Sequence, residues 1–489
     1  MKIKELLDGL EILSISGDAL IDISGISYDS RKVEKGHVFV AIQGDHSDGH
    51  NFINEAISRG AKAVVFENAA VECMPSARTF IHVKDSRKAL AVASGNFFAR
   101  PSKKLNVIGV TGTNGKTTTT YIIKSILEAW GKKVGLIGTI QHMIQDEVFE
   151  ALHTTPQALE FQGLLHRMRE SGCTYVVSEV SSHALAQKRV DGSVFKSGVF
   201  TNLTRDHLDF HKTMDQYFTA KKRLFTELLD KNAVSVINYD DIWGRKLISI
   251  LLGSVYTCGL EKGCDIMASE IDNSFGGLRF KIVMRGRKYS VVSGLTGLPN
   301  VYNIMSAAGA AVSLGVPWDV ILEGIKNSKN VKGRFERVDA GQGFLAVVDY
   351  AHTEDALERL IYTAKGMVKG KVIVLFGCGG DRDRGKRPKM GAIATRLSDY
   401  VILTSDNPRS EDPESIIREI EAGATRKNYL IEPDRREAIR RAVMMASEGD
   451  VLLVAGKGHE NYQEIRGTKY KFSDREVLQE TIGQLTNNS

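Results

Sequence analysis

A strand, a glycine-rich loop and a helix follow one another between residues 105 and 130, and this segment limits the possible folds more than any other. The run from Leu105 to Val110 has the apolar pattern of a buried strand, and Ile122 and Ile126 lie on one face of the helix. The loop between them consists of Thr111, Gly112, Thr113, Asn114, Gly115, Lys116 and Thr117. Backbone N–H groups at a helix N-terminus bind phosphate oxygens, and a lysine and a hydroxyl reach the terminal phosphate and Mg²⁺. The segment predicts a nucleotide-binding α/β domain, although Val110 stands where the strict GxxxxGK[ST] pattern requires its first glycine.

The chain of 489 residues is too long for one hydrophobic core, and its length predicts about three domains. Each part repeats a short β-branched strand, a turn and a helix, which predicts α/β architecture throughout. The boundaries are expected at a Pro- and Lys-containing linker near residue 103 and at a glycine-containing segment near residue 333. The predicted domains are residues 1–103, 104–333 and 334–489, and strands such as Lys371 to Phe376 and Val451 to Ala455 predict a parallel, Rossmann-like sheet in the last.

Composition excludes several other classes of protein. The five cysteines are scattered and form no CxxC pair, which favours reduced thiols and argues against a zinc site. Apolar runs are no longer than a strand and the N-terminus lacks the apolar core of a secretory signal, so we expect a cytoplasmic protein without membrane insertion. The net charge of +6 is spread along the chain, and the densest basic run, Asp381 to Lys389, contains aspartates and no aromatic residue. We therefore expect no nucleic-acid partner.

The loop sequence GTNGKT after a strand resembles that of Mur ligases and of the related folylpolyglutamate synthases. Further strings resemble the Mur ligase family in the same order: DSR at 29–31, HTTP at 153–156, EVSSH at 179–183, NLTRDHLD at 202–209, DYAH at 349–352, DNPR at 406–409 and GKGHE at 456–460. The resemblance covers essentially the whole chain. It implies a three-domain α/β ligase with an N-terminal uridine-nucleotide-binding domain, a central P-loop-type ATPase domain and a C-terminal Rossmann-like domain that binds the amino acid.

The resemblance also implies roles in ATP and metal binding. Beyond the loop, the implied nucleotide contacts are Asn300, Asn303, Asp349 and His352, and the implied Mg²⁺ ligands are Thr117, Glu179, His207 and Lys221. Lys221 is implied to react with CO₂ and to act as a carbamate. Together with Lys116 and Arg334, which we expect to reach the γ-phosphate on domain closure, these ligands form the expected catalytic set. By themselves, the residues favour a surface acid at Glu179 and a solvated cation at Lys221, which is followed by Lys222 and Arg223.

Other strings resemble substrate-binding residues of the family. The implied uridine site contains Ser30, with Asp45, His46 and Ser47 as weaker candidates, and the implied sugar and dipeptide contacts are Thr154, Thr155, Ser181, Gln187 and Arg189. An arginine binds a substrate carboxylate through two parallel hydrogen bonds, which suits Arg189 to a charged substrate. The implied substrate is UDP-N-acetylmuramoyl-L-alanyl-D-glutamate, a precursor of the bacterial cell wall, and we expect a monomer.

The string DNPR carries the prediction of amino-acid specificity. Locally, Asp-Asn-Pro is ordinary turn chemistry. Meso-diaminopimelate differs from lysine by a carboxylate beside the distal amine, so its recognition needs a cation and also acids for the ammonium group. Arg409 and Arg382 are expected to supply the cation, and Asp406 and Glu460 the acids. The expected pocket is completed by Asn407, Pro408 and Gly456.

The resemblance implies that ATP phosphorylates the glutamyl carboxylate and that the amine of the amino acid then displaces phosphate. Phosphoryl transfer requires mainly positioning and charge neutralisation. The sequence does not identify the group that accepts the proton from the attacking amine. Three alternatives stay open at this point: a lysine-adding ligase, disfavoured by Arg409; a folylpolyglutamate synthase, disfavoured by DSR and HTTP; and a regulatory nucleotide switch without ligase activity, which needs no amino-acid pocket.

Overall fold

The computed structural model describes residues 1–44, 47–68, 78–274 and 276–486. Within these ranges the α-helices are α1 Ile3–Leu6, α2 Ile53–Ser58, α3 Ser86–Phe97, α4 Lys116–Ala129, α5 Ala158–Glu170, α6 Ser182–Ala186, α7 Leu208–His211, α8 Met214–Glu227, α9 Ile242–Ile248, α10 Leu298–Ser313, α11 Trp318–Asn327, α12 Glu354–Lys365, α13 Arg387–Leu397, α14 Pro413–Glu421, α15 Arg435–Met445 and α16 Asp474–Thr486. Short 3₁₀ turns lie at Ser30–Lys32, Gly49–Phe52, Pro101–Lys103 and Arg384–Lys386.

The strands of the described chain form three large sheets and a separate hairpin. They are β1 Ile12–Ser16, β2 Gly25–Ser27, β3 His37–Val40, β4 Ala63–Phe66, β5 Thr79–Val83, β6 Asn106–Thr111, β7 Val134–Ile137, β8 Gln141–Ile144, β9 Glu147–Glu150, β10 Tyr175–Glu179, β11 Phe195–Phe200, β12 Leu229–Asn238, β13 Ser254–Gly259, β14 Ile266–Ser274, β15 Gly277–Met284, β16 Arg287–Ser293, β17 Glu336–Val338, β18 Leu345–Asp349, β19 Val372–Phe376, β20 Tyr400–Leu403, β21 Tyr429–Ile431, β22 Val451–Ala455, β23 Tyr462–Ile465 and β24 Thr468–Lys471.

The N-terminal sheet has the order β1-β5-β4-β3-β2. Its strands β2 to β5 pair in parallel, and β1 adds to the edge in the antiparallel direction. Apolar residues of α1 and α3 pack against one face of this sheet, and Asp85 accepts from the backbone N–H of Lys88 to begin α3. The result is a small α/β unit.

The central sheet is mixed and has the order β16-β15-β14-β13-β12-β11-β6-β10-β7-β8-β9. Its middle strands are parallel, whereas β15 and β16 at one end and β8 and β9 at the other are antiparallel. Helices α4, α10 and α11 bury their apolar faces on one side of the sheet, and α5, α6 and α8 on the other. Because the parallel strands β6, β10 and β11 are neighbours, the loops that follow them meet at one edge.

The C-terminal sheet has the order β17-β18-β22-β19-β20-β21, and all its strands except β17 are parallel. Helices α12, α13 and α14 cover one face, and α15 and α16 cover the other. The predicted Rossmann-like architecture and the α/β class of the whole chain are confirmed. No helix in the described part of the chain is both long and apolar enough to cross a membrane.

Candidate active site

The phosphate loop leaves β6 at Thr111 and enters α4 at Lys116. Gly112 and Gly115 have φ angles of +147° and +86°, which disfavour any side chain. A Cβ at Gly112 would also overlap the hydroxyl of Thr201, and one at Gly115 would overlap the side-chain amide of Asn303. The backbone N–H of Asn114 donates to Asn202 Oδ1 at 2.9 Å. The loop is therefore held open for a phosphate by contacts with neighbouring elements.

Two lysines converge on this loop. Lys116 Nζ donates to the carbonyls of Gly112 and Thr113 at 3.0 and 2.8 Å, and Lys221 Nζ donates to the same Gly112 carbonyl at 2.7 Å. Burial lowers the pKa of Lys116. Burial, reinforced by the charge of Lys116, lowers the pKa of Lys221 well below its usual value. Lys221 is only 1% exposed, so the interpretation of this residue as a solvated cation is wrong.

Glu179 ends β10 beside the phosphate loop and is fully buried, so the interpretation of it as a surface acid is also wrong. Its carboxylate accepts from the backbone N–H and the hydroxyl of Thr139 at 2.9 and 3.0 Å. Thr117, the last residue of the predicted loop, is buried as well. A carboxylate and a hydroxyl are the oxygen ligands that Mg²⁺ prefers.

The described residues contain no cluster of three or more acidic, histidine or cysteine side chains arranged to hold a metal by themselves. Mg²⁺ normally keeps water molecules and binds through one or two carboxylates together with substrate phosphates. The oxygen donors of Glu179 and Thr117 therefore fit an ion shared with a nucleotide. An unmodified cation at Lys221 does not fit such a set, because it repels Mg²⁺.

His207 precedes α7 in a left-handed conformation, with φ of +53°. Its ring packs edge-on against His183 with centroids 4.7 Å apart, and its Nε2 lies 3.3 Å from Asp206 Oδ2. Burial lowers the pKa of His207 to about 3, so the imidazole is neutral near pH 7 and has a lone pair available for a metal. The structure thus permits the role implied for His207.

Asp206 was not singled out from the sequence, although it stands next to His207 within the string NLTRDHLD. Its carboxylate lies 3.8 Å from Nε2 of His352, which follows β18 in the C-terminal sheet. Burial raises the pKa of Asp206, but His207, His352 and Lys386 outweigh that effect and bring it down to about 2. Asp206 is therefore an ionised group next to one histidine of the central domain and one that follows a strand of the C-terminal sheet.

Further contacts bring the C-terminal sheet against the phosphate loop. Arg334 Nη2 donates to Thr117 Oγ1 at 3.4 Å, and its guanidinium carbon lies 4.6 Å from the ring centroid of Tyr350. Arg205 pairs with Asp383 at 3.2 Å. These contacts place the carboxyl end of the C-terminal sheet opposite the carboxyl end of the central sheet, with the phosphate loop between them.

A cleft with a cavity volume of about 120 Å³ opens beside the loop. Of the nucleotide contacts predicted outside the loop, Asn300, Asn303 and Asp349 line it, and Arg334 lines it as well. Asn303 Nδ2 donates to Asn300 Oδ1 at 2.9 Å. Asp349 accepts from the backbone N–H groups of Phe335 and Ala351 at 2.6 and 2.8 Å, and burial raises its pKa. The cleft lies next to the phosphate loop, and polar side chains from both the central and the C-terminal sheet regions line it.

The residues predicted to hold the sugar and dipeptide form a connected cluster around the end of β10. Thr155 Oγ1 donates to the Glu179 carbonyl at 2.8 Å and accepts from the Ser181 N–H at 3.0 Å. Arg189 donates to the Thr155 carbonyl and to Gln187 Oε1, each at 3.0 Å. Thr154 accepts from the hydroxyl of Thr139 at 3.1 Å. The structure brings all five of these residues to the edge that carries the phosphate loop.

The N-terminal domain meets this cluster through two side-chain contacts. Tyr28 donates to Glu160 at 2.8 Å, and Lys188 pairs with Asp85. Ser30 is buried and donates to Glu55 Oε2 at 2.9 Å. The carbonyl of Ser47 accepts from the N–H of Gly44 in a turn, whereas Asp45 and His46 lie outside the described residues.

The predicted amino-acid pocket lies where β20 and β22 end. Asn407 Nδ2 donates to Glu460 Oε2 at 2.7 Å, and the fully buried Lys457 donates to Asn407 Oδ1 at 3.0 Å and to Glu460 at 3.3 Å. Gly456 has a φ of +111°, and a Cβ there would lie 2.6 Å from Asp406 Oδ2. Burial and the nearby charge of Asp406 raise the pKa of Glu460. Lys457 was not predicted as part of the pocket, although it belongs to the string GKGHE.

The two arginines expected to bind a carboxylate flank Gly379. A Cβ at Gly379 would lie 2.8 Å from Arg409 Nη1 and 3.8 Å from Arg382 Cγ. Arg409 donates to the Gly380 carbonyl at 2.7 Å and pairs with Glu464 at 3.4 Å, and its φ is +51°. Arg382 is exposed and donates to the carbonyl of Asp381 at 2.9 Å. Arg382 is thus open to solvent, whereas the Arg409 side chain is only 19% exposed and already contacts Gly380 and Glu464.

Three family descriptions match successive parts of the chain. Residues 22–98 match "Mur ligase family, catalytic domain", residues 110–311 match "Mur ligase middle domain", and residues 333–458 match "Mur ligase, glutamate ligase domain". A UDP-N-acetylmuramoyl-L-alanyl-D-glutamate--2,6-diaminopimelate ligase of Clostridium tetani is 47% identical over 489 residues, which cover 99% of this chain and 100% of that protein. The chain belongs to the Mur ligase family. The resemblance found in its motifs is confirmed.

Solved Mur ligase structures share the fold. A UDP-N-acetylmuramoyl-L-alanyl-D-glutamate--2,6-diaminopimelate ligase superposes with a TM-score of 0.69 at 33% identity, covering 99% of both chains. A more distant Mur ligase from Thermotoga maritima, crystallised in complex with ADP, superposes with a TM-score of 0.63 at 20% identity and covers 95% of this chain and 98% of its own. At that lower identity the likeness concerns the fold alone.

Proposed function

We propose that this Mur ligase joins meso-diaminopimelate to the glutamyl γ-carboxylate of UDP-N-acetylmuramoyl-L-alanyl-D-glutamate while ATP is converted to ADP and phosphate. The names of its relatives at 47% and 33% identity support this activity. The observation that carries it is the contact between two sheet edges, one bearing the phosphate loop and the other a pocket with both acidic and cationic side chains. Arg334 joins these edges through Thr117 at 3.4 Å. An activated acid and an amine can therefore meet in one cleft.

The first step is phosphoryl transfer to the glutamyl carboxylate. That carboxylate is ionised near neutral pH, so no base is needed for its attack. Loop N–H groups, Lys116 and Arg334 orient the phosphates and neutralise the charge that develops on the transferred group. Thr117, Glu179 and His207 are the proposed holders of Mg²⁺, which supplies further charge neutralisation when bound.

The second step forms the amide. The amine of diaminopimelate attacks the acyl carbon, a C–N bond forms, the C–O bond to phosphate breaks, and the amine loses a proton. Asp406 and Glu460 hold the ammonium of the distal centre, and Arg409 with Arg382 holds its carboxylate. Asn407 and Gly456 shape the same pocket, since Asn407 orients Glu460 and Gly456 leaves room beside Asp406.

We also propose that Lys221 acts as a carbamate. The Lys221 ammonium first loses one proton, and the neutral amine then joins CO₂ and releases a second proton, so a cation becomes an anion. Three observations support it: the side chain is buried, its described hydrogen bond is to the Gly112 carbonyl, and its pKa is well below the usual value because of burial and Lys116. A carbamate there places a negative charge beside Lys116 and favours Mg²⁺.

The domain assignment is part of the proposal. Residues 1–103 bind the uridine nucleotide, residues 104–333 bind ATP, and residues 334–489 bind the amino acid. A Cβ at Gly333 would lie 2.7 Å from Gly458 Cα. This close contact between residues of the central and the C-terminal domain supports the second boundary. We further propose a monomer acting in the cytoplasm, where ATP and the nucleotide-linked substrate are available.

One assay tests the proposed function. ADP release by the purified protein is measured with the UDP-linked muramoyl dipeptide and either meso-diaminopimelate, L-lysine or no amino acid. Release that depends on diaminopimelate supports the proposal. A preference for L-lysine would show that Arg409 and Arg382 do not select the substrate. Release that is independent of the amino acid would indicate a nucleotide switch without ligase activity.

A further inference from the structure

A buried ion pair joins the first residues of the last two helices. Arg435 begins α15 and Asp474 begins α16, and both side chains are 0% exposed. Arg435 Nε and Nη2 donate to the two carboxylate oxygens of Asp474, each at 2.7 Å. Such a pair often contributes little net stability, because removing two charges from water costs about as much as their attraction returns. Net stability therefore does not explain why this ion pair is buried here.

The remaining donors of Arg435 contact two loops of the amino-acid pocket. Nη1 donates to the Ser405 carbonyl at 3.2 Å, and Nη2 donates to the Ala455 carbonyl at 2.9 Å. Ser405 directly precedes Asp406, and Ala455 directly precedes Gly456. One planar guanidinium thus fixes the backbone immediately before both pocket segments.

Sheet pairing alone does not set the distance between these loops. Ala455 ends β22 and Ser405 follows β20, and these strands are separated by β19. Beyond β19 stands Gly377, where a Cβ would lie 2.9 Å from the backbone nitrogen of Asp406. The missing side chain leaves room for the 404–406 backbone beside the end of the middle strand. Arg435 links the two loops across that strand through its hydrogen bonds to Ser405 and Ala455.

The charge of Arg435 also acts on the pocket. Burial lowers its pKa, but Asp474, Asp406 and Glu460 more than compensate and raise it. Asp406 and Glu460 are the acids assigned to the substrate ammonium, and their mutual repulsion opposes their close placement. Arg435 reduces that repulsion together with the buried Lys457, which lies 4.0 Å from Asp406 and 3.3 Å from Glu460.

We propose that Arg435, held in place by Asp474, is a positioning residue that sets the separation of segments 405–409 and 456–460 and thereby the affinity for an amino acid with a charged distal centre. This inference rests on the proposed function for the identity of the amino acid. It does not place Arg435 in contact with substrate. It assigns to the last two helices a role in recognition.

Two variants test the proposal by different chemistry. Asp474→Asn keeps the shape of the carboxylate and removes its charge, whereas Arg435→Lys keeps a positive charge but lacks the planar fork that reaches both carbonyls. For both variants we expect the KM for diaminopimelate to rise at least about tenfold, while the KM for ATP stays within about twofold of the wild-type value. Arg436→Met is the matched control, because Arg436 is exposed on the same helix and pairs with exposed Glu480.

Hydrogen exchange of the folded, substrate-free proteins gives a readout independent of turnover. The amides of 405–409 and 456–460 should exchange about tenfold faster in both variants than in wild type and Arg436→Met, with the phosphate loop unaffected. Equal changes in every KM, or unchanged exchange at both segments, would overturn the proposal by leaving only a general structural role. If the wild type ignored diaminopimelate, the proposed function would fail, and the exchange data would still decide whether Arg435 positions the loops.

Discussion

Asn114 of the phosphate loop donates its side-chain amide to Asp355, in the first turn of α12, at 3.1 Å. The loop backbone at Asn114 is held separately by Asn202 within the central domain. The contact with Asp355 is therefore not needed for the shape of the loop, and we expect it to depend on domain closure. It ties the position of α12 to the nucleotide site.

Replacing Asp355 with Ala should slow turnover without weakening nucleotide binding. Loss of one interdomain hydrogen bond of about 1.4 kcal/mol should lower kcat about tenfold and leave the Kd for ADP within about twofold. Steady-state kinetics and calorimetric titration of ADP measure the two quantities. Asp355→Asn retains an acceptor oxygen and should lie between the wild type and Asp355→Ala. A kcat within about twofold of wild type in the alanine variant would contradict a role in closure.

Arg334 should act mainly on the chemical step. Its guanidinium contacts Thr117 and lies over Tyr350, which suits the role proposed for it at the γ-phosphate. We expect Arg334→Ala to lower kcat about a hundredfold or more, with a smaller change in the KM for the UDP-linked substrate. Arg334→Lys keeps the charge and should recover only part of the loss. If kcat stayed unchanged and kcat/KM fell only because KM rose, Arg334 would instead act in ground-state binding of the substrate.

Much of the fold could be predicted because buried parallel strands have a clear pattern. The strand Val451–Ala455 has the bounds predicted from the sequence, since it is a short apolar run bounded by Asp450 and Gly456. The antiparallel strands Gly277–Met284 and Arg287–Ser293 were missed. They alternate buried and exposed residues and do not follow the strand-turn-helix rhythm on which the prediction depended.

The candidate site could also be predicted only in part from the sequence. Motifs located the loops at the strand ends, but contacts between distant segments, such as Asp206 with His352, arise only when two sheets face each other. Lys221 is a different case. Tyr217 and Leu224 lie on the same side of α8 at helical spacing and are buried. The apolar periodicity therefore indicated a buried position for Lys221, but the neighbouring Lys222 and Arg223 favoured an exposed one.

Lys221→Ala should remove nearly all turnover and should respond to a small carboxylate. If a carbamate supplies the negative charge, acetate or formate can occupy part of the space left by the lysine and restore a fraction of the activity. ADP release measured over a series of acetate concentrations, with chloride at equal ionic strength as the control, tests this expectation. Lys221→Arg keeps a cation, fills the space and should not be rescued. Full activity of Lys221→Ala would disprove the carbamate.

Arg409 should determine the preference for diaminopimelate over lysine. Arg409→Ala removes a charge-assisted contact to the distal carboxylate, which is worth about 1.5–3 kcal/mol, so kcat/KM for diaminopimelate should fall by about ten- to a hundredfold. The value for L-lysine, which lacks that carboxylate, should change much less. Arg466→Ala, at an exposed neighbouring arginine, serves as the control. An equal loss for both amino acids would assign Arg409 to loop structure.

The ion pair between Arg387 and Glu411 predicts a pH-dependent contribution to stability. Arg387 is fully buried, and its guanidinium holds the pKa of Glu411 at about 2, against a smaller opposing effect of burial. Because the folded-state pKa is lowered, the stabilisation is fully present above the ordinary carboxyl pKa of about 4.3 and is lost as the pH falls toward 2.

Since Glu411 is partly exposed and Glu419 also contacts Arg387, Glu411→Gln should cost only about 1 kcal/mol at pH 7. Urea unfolding of Glu411→Gln and wild type at pH 7, 5, 4 and 3 should show a gap in unfolding free energy that is constant at the two higher values and shrinks at the two lower ones. Glu414→Gln, in the adjacent helix, should show no comparable gap. A gap that widened on acidification would mean that Glu411 is not the stabilising charge.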